Sequence, residues 1–151
     1  MNIQNFNIGD LQCYCDLDGD GAIGMRNPKT IERYHEICEE QFDFDKHGMF
    51  FAFSNEQYEE ERKRLIAKGL LKEDDELFSG PGGSIGTKEG FHAFVHFADE
   101  KDAKIAKECD PQEVYIYEWE NHECMYGDEW RAFAIVERIF GKERASKIKR
   151  F

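Results

Sequence analysis

The run Met49-Phe-Phe-Ala-Phe53 constrains this chain more than any other stretch. It is too short for a helix, apolar throughout and closed at once by Ser54, which reads as a buried strand. Ser54 with Gln57 three residues on has the spacing of a capping box, so the strand passes directly into a helix predicted over 55–68. Glu59–Lys63 and Glu60–Arg64 are four apart in the favourable order on that helix. Gly69 predicts its end, with Leu70 folding back on the last turn.

Similar signals organise the rest. Leu11, Cys13 and Cys15 alternate, predicting a short extended piece, and the residues from Asp16 to Asn27 read as a turn-rich loop. Asn27-Pro28 predicts a cap and first helical turn, with Ile31, Tyr34, Cys38 and Phe42 along one face as far as Phe42. Residues 42–48 read as a connection, and Leu77–Thr87 as a glycine-rich link around a short extended segment. A helix starts near Lys88 and carries Phe91, Phe94, Val95 and Ala98 on one side; a break at Asp99 is left open. Asp110-Pro111 starts another, although Val114-Tyr-Ile-Tyr-Glu-Trp119 has strand propensity; helix is favoured narrowly. Asn121–Gly127 reads as a turn or short strand. Asp128 caps a last amphipathic helix with Trp130, Phe133, Ala134, Ile135 and Ile139 as core, Gly141 as its stop and a short basic helix after it.

These elements predict an α+β fold, mostly helical with a small β-sheet. One domain is expected over 1–151, with 1–27 as an N-terminal extension holding the aspartate-rich loop and 28–151 as the core. The thirteen Phe among 151 residues supply apolar bulk for that core, and the net charge of −12 repels phosphate backbones. Direct nucleic-acid binding is therefore not expected. The same acidity would suit a basic partner surface, or a protein that imitates nucleic acid. Cys13, Cys15, Cys38, Cys109 and Cys124 make an odd count behind no signal-like segment, and no apolar stretch approaches a membrane span. A cytoplasmic protein with reduced thiols is expected.

One loop carries specific chemistry. Asp16, Asp18 and Asp20 fall at positions 1, 3 and 5 of a twelve-residue calcium loop, with Gly21 at the bend and the Ala22 carbonyl at position 7. Ca²⁺ wants six to eight oxygens, and alternate carboxylates on a tight coil can converge on it. Position 12 is Asn27 where a bidentate glutamate would serve best, and Pro28 follows. The expected cofactor is therefore Ca²⁺, weakly held by Asp16, Asp18, Asp20, Ala22 and Asn27; an Asp/Gly turn bonding its own backbone is the plainer alternative.

Other groupings are less specific. His92 and His96 share a helix face, but no zinc spacing supplies further ligands. The turn Ser79-Gly-Pro-Gly-Gly-Ser84, ending in Lys88, could cradle an anion yet lacks the Walker spacing. Asn121-His122-Glu123 combines acid–base groups, though neighbours in sequence seldom converge. Tyr115, Tyr117 and Trp119 suit a core or a partner contact.

The block Phe50-Phe-Ala-Phe-Ser-Asn-Glu-Gln57, the turn Pro81-Gly-Gly83 and Asn121-His122-Glu123 together resemble small uncharacterised proteins of gut bacteria and their phages or mobile elements. The resemblance covers roughly 30–125 and leaves out the Asp16–Asn27 loop. It implies no activity, cofactor or catalytic residue; it does imply a shared binding surface at Asn55, Gly82, Gly83, His122 and Glu123. The leading expectation is a non-enzymatic binding or regulatory protein with a protein partner. The alternatives are a small enzyme or ligand-binder using the Gly80–Lys88 turn with His122 and Glu123, and an acidic inhibitor that mimics nucleic acid.

Overall fold

The computed structural model describes residues 3–8, 11–16, 21–26, 28–121 and 129–150, those up to residue 29 by their backbone only. The fold is α+β and mostly helical. In chain order the described elements are β1 (Ile3–Ile8), β2 (Leu11–Asp16), β3 (Gly21–Arg26), α1 (Pro28–Glu39), β4 (Met49–Phe51), α2 (Asn55–Ala67), β5 (Phe78–Ser79), β6 (Ser84–Gly86), α3 (Lys88–Glu108), α4 (Pro111–Asn121) and α5 (Glu129–Ala145). They form two compact units, residues 1–40 with 101–151, and residues 41–100. The helix α3 gives its first part to the second unit and its last part to the first.

The unit of 1–40 and 101–151 opens with an antiparallel sheet in the order β1-β2-β3. Residues 21–26, read from sequence as loop, are its third strand, with Asp16 opposite Gly21 and Ala22 opposite Cys15. The helical core gathers Tyr34 and Ile37 of α1, Ile105 of α3, Val114, Tyr115 and Ile116 of α4, and Ala132, Val136, Ile139 and Phe140 of α5. Each fully buried aliphatic side chain contributes about 1.5–3 kcal/mol. Helix α4 contacts α1, α5 and β3 and buries Glu113 to Ile116 and Glu118. A helix buried nearly all round shows no amphipathic stripe, which is why its sequence also reads as a strand. Asp110 caps it, its Oδ1 accepting from the N–H groups of Gln112 (2.9 Å) and Glu113 (3.2 Å).

Several details differ from the sequence reading. Helix α1 ends at Glu39, short of Phe42. Lys101 Nζ donates to the carbonyls of Cys38 (2.6 Å) and Glu40 (3.1 Å), satisfying acceptors that a longer helix would have used. Ile37 is buried where Cys38 was expected, and Cys38 is exposed. On α5 the buried stripe is Ala132, Val136, Ile139 and Phe140, spaced four, three and one apart. Trp130 and Ala134 lie off that stripe, so Trp130 is 61% exposed and Ala134 is exposed. Gly141, at φ 80° and ψ 160°, breaks α5 before its last turn as expected. Helix α3 runs unbroken through Asp99.

The unit of 41–100 is built on an antiparallel sheet in the order β4-β6-β5. Ser54 Oγ accepts from Gln57 N–H, while Gln57 Oε1 accepts from Phe53 N–H at 2.8 Å, one residue earlier than in a capping box. At the other end of α2, Leu70 N–H reaches Leu65 O and Gly69 N–H reaches Ile66 O, a Schellman closure with Gly69 at φ 72°. Helix α2 packs Leu65 against Phe50 and Leu71, with Ile85 and Tyr58 at the margin. The ion pairs of α2 are not the expected four-residue ones: Arg64 joins Asp45 through both Nη atoms and Glu61 at 2.6 Å, and Lys68 also reaches Asp45 at 3.2 Å. Asp45 sits on a 3-10 turn ahead of β4, a position that sequence spacing along α2 cannot reveal.

Candidate functional site

Strand alternation divides the second sheet's side chains. The pairs Phe50–Ile85 and Ser79–Ile85 share one face; Met49–Gly86, Phe51–Ser84 and Phe78–Gly86 share the other. The first face lies under α2. Over the second, the start of α3 comes close to the backbone: a Cβ on Gly86 would stand 2.6 Å from Met49 Cγ, and one on Gly90 would stand 2.5 Å from the His47 carbonyl. The absence of side chains at these two glycines lets Met49 be buried between strand and helix.

Beyond Met49 that face becomes a ribbon of rings. Phe51 meets Phe44 with centroids 5.0 Å apart, Phe44 meets Phe94 at 5.7 Å, and Phe42 meets Phe44, Phe94 and Phe97 at 5.1, 5.3 and 5.4 Å. Three of these contacts are edge-on, the arrangement aromatic quadrupoles favour, and the other two are tilted. The rings are far from fully covered: Phe51 is 44% exposed, Phe94 38%, Phe78 43% and Phe53 78%, with Val95 exposed beside Phe94. Of the residues that the sequence places on one side of α3, Phe94 and Val95 are exposed while Phe91 turns in over Gly80. The ribbon ends in an open groove of about 400 Å³. Phe42 and Phe97 form its apolar part, and Asp43, Lys46, His47, His96 and Glu100 its polar part. His47 stacks on Phe42 at 4.7 Å, and His96 Nδ1 lies 3.6 Å from Glu100 Oε2.

The surface residues expected from sequence fall partly on this unit. Asn55 opens α2, exposed, two residues after Phe53. Gly83, at φ 75°, lies under the Phe53 ring, where a Cβ would stand 2.6 Å from Cε1; Gly82, at φ 66°, is exposed with open space around it. Gly83 thus lies against the most exposed aromatic side chain among the described residues. His122 and Glu123 lie outside the described residues. In the Gly80–Lys88 turn, Gly80 N–H donates to Ser84 O (2.8 Å), Ser84 N–H to Pro81 O, and Ser84 Oγ to Pro81 O (2.8 Å). The donors of Gly80 and Ser84 are thus spent within the turn and are not offered to an anion.

Of the expected calcium ligands, Asp18, Asp20 and Asn27 lie outside the described residues, and Asp16 and Ala22 are described by backbone alone. Among the described residues no three His, Cys, Asp or Glu side chains gather as a metal site. Cys109 is buried, which pushes its thiol up to about 11; burial also raises Cys38, opposed in part by the neighbouring Tyr34 hydroxyl. Neither is poised as a thiolate nucleophile. No described helix is long and apolar enough to cross a membrane. The ribbon itself was missed from sequence because its rings come from three separate segments; the only available signal was the density of Phe between 42 and 53 and between 91 and 97.

Fold and site define a mostly helical α+β protein with an exposed aromatic surface on a small sheet. The chain belongs to DUF7659, a family of unknown function whose profile matches residues 33–132. That match contains the whole unit of 41–100 and agrees with the expected resemblance to uncharacterised proteins. No curated protein and no solved structure matches the chain.

Proposed function

We propose that this is a non-catalytic binding protein that engages another protein through the aromatic surface of residues 41–100. The observation that carries the reading is the exposure of Phe51, Phe53, Phe78 and Phe94 on one small unit. Exposed apolar clusters of this kind mark interaction surfaces, and large aromatic rings supply most of the energy at such sites. The groove beside Phe42 and Phe97 is open and mixed in charge, which suits an anchoring side chain better than an enclosed substrate. Gly83 lies under Phe53, and the exposed Asn55 and Gly82, near it in the chain, belong to the same proposed surface. A cytoplasmic, mobile-element setting accompanies the proposal; it is supported by the resemblance given above and by the free thiols of Cys38 and Cys109. The test is a photo-crosslinking residue placed at position 53 or, as a control, at exposed position 59 of α2. A discrete adduct from 53, absent from 59 and lost on adding Phe51→Ser and Phe94→Ser, supports the reading. Identical adduct patterns from both positions reject it.

A second proposal concerns the N-terminal hairpin, as a weak Ca²⁺ site formed by Asp16, Asp18, Asp20, Ala22 and Asn27. Its support is the spacing of the three aspartates and Gly21 in the sequence, with Asp16 opposite Gly21 across β2 and β3. Such a site would brace the hairpin and take no part in partner binding. A melting comparison with Ca²⁺ and with chelator tests it.

A further inference from the structure

Among the described residues strand β5 is an edge of its sheet, paired with β6 on one side only. Gly80 N–H points inward to Ser84 O, so alternation along the extended chain turns the main-chain N–H and C=O of Ser79 to the outer side. Exposed edges are blunted against strand addition by shortness, by charged side chains and by proline. β5 is two residues long and its approach is acidic, which turns away any incoming strand that does not carry cations. Glu73, Asp74 and Glu76 are exposed in the residues leading into β5, while Asp75 Oδ2 is occupied by Lys72 N–H at 2.7 Å. Arg62 Nη2 donates to the Glu73 carbonyl at 2.7 Å, and Lys72 precedes the run in the chain. Phe78 stands exposed on the strand itself.

We infer that the partner's main chain joins here: an extended segment of another protein, alternating lysine or arginine with apolar residues, pairs with the outer edge of β5 as a fourth strand. Period-two alternation would put the apolar side chains on the face of Phe78 and leave the cations toward Glu73, Asp74 and Glu76. Charge selects this occupant. A second copy of the chain would bring its own net −12 against the same carboxylates. The inference rests on the protein-binding reading above and narrows it to a basic, strand-forming partner.

The probe is a fluorescent decapeptide alternating Lys and Val, with a Glu/Val decapeptide as control. The expected result is saturable binding of the Lys/Val peptide, about tenfold or more tighter than the control. Binding should weaken about tenfold with Glu73→Gln/Asp74→Asn/Glu76→Gln, and equally with Ser79→Pro, which removes the outward donor. Because Ser79→Pro could disturb the strand, amide exchange at Ser79 in the unaltered chain is measured as well; saturating peptide should slow it about tenfold. Unchanged Ser79 exchange in a chain that binds the peptide means simple charge adhesion and overturns the inference. So does a lack of preference over the Glu/Val peptide, or Ser79 protection that grows with protein concentration and no peptide, which would name a second copy as occupant. Crosslinks from position 53 that persist in Ser79→Pro would defeat strand addition while sparing the protein-binding reading; loss of all specific crosslinks from position 53 in the unaltered chain would defeat that reading first.

Discussion

The Tyr34 hydroxyl donates to Glu118 Oε1 at 2.5 Å inside the helical unit, joining α1 to α4 where both residues are buried. Burial and the neighbouring carboxylate raise the Tyr34 pKa, which keeps the phenol protonated and a donor. Tyr34→Phe removes that donor and leaves the ring in place. We expect a loss of about 1–3 kcal/mol in urea unfolding, the usual consequence of removing one partner from a buried acceptor. A change below about 0.5 kcal/mol would show that the bond contributes nothing net.

Asp45 ties the turn before β4 to α2. The guanidinium of Arg64 first, then Lys68, holds its carboxyl down to about 2. A depressed carboxylate stabilises fully above its unfolded value and loses that contribution as pH falls through the folded one. The unit of 41–100 should therefore weaken progressively between about pH 4 and pH 2, and Asp45→Asn should remove this part of the acid dependence. At neutral pH the substitution should cost only about 0.5–1 kcal/mol, since the pair is partly solvent-screened. Acid titrations of both proteins followed by tryptophan-independent circular dichroism would check it.

Gly82 and Gly83 share a left-handed backbone but differ in surroundings. Alanine at 82 meets nothing and carries only the conformational penalty of about 1 kcal/mol. Alanine at 83 would also press on the Phe53 ring and stand 3.2 Å from the Ala52 carbonyl, so about 2–3 kcal/mol is expected. Equal melting temperatures for the two variants would contradict this placement of Phe53.

Phe53→Ser should leave stability within about 0.5 kcal/mol of the original, because a mostly exposed ring has little burial to lose. Phe50→Ala, beneath α2, should cost about 3–5 kcal/mol. A surface built for docking gives this contrast. A Phe53→Ser chain that unfolds would mean that the ring is structural.

Calcium at about a hundredfold over its dissociation constant should stabilise the chain by about 2.7 kcal/mol relative to chelator. Asp18→Asn with Asp20→Asn should abolish the difference. Coincident melts of the unaltered chain with and without the ion would remove the site.

What the residues declare locally was legible. Ser54, Gly69, Asp110-Pro111 and Gly141 each act on backbone groups within a few positions, and each does in the structure what its type and spacing predict. The apolar run at 49–53 forms a strand over Met49–Phe51 only, with Phe51 and Phe53 exposed where burial was expected, and helix prevails over strand at 111–121. The choice of Arg64 for Asp45 over Glu60, of Ile37 over Cys38, and of Ala132 and Val136 over Trp130 was not legible. A helical pattern offers several faces, and the one that is buried depends on what other segments bring to it.

The sequence alone determined the kind of elements and most of their ends, because capping, glycine conformation and apolar periodicity act over one or two turns of chain. Tertiary structure alone decided that rings from residues 42–44, 51 and 94–97 would meet on one sheet face and stay open to solvent. That outcome depends on pairing β4 and β5 with β6 and on Gly86 and Gly90 admitting α3 so close. These are long-range contacts whose energy no local pattern encodes.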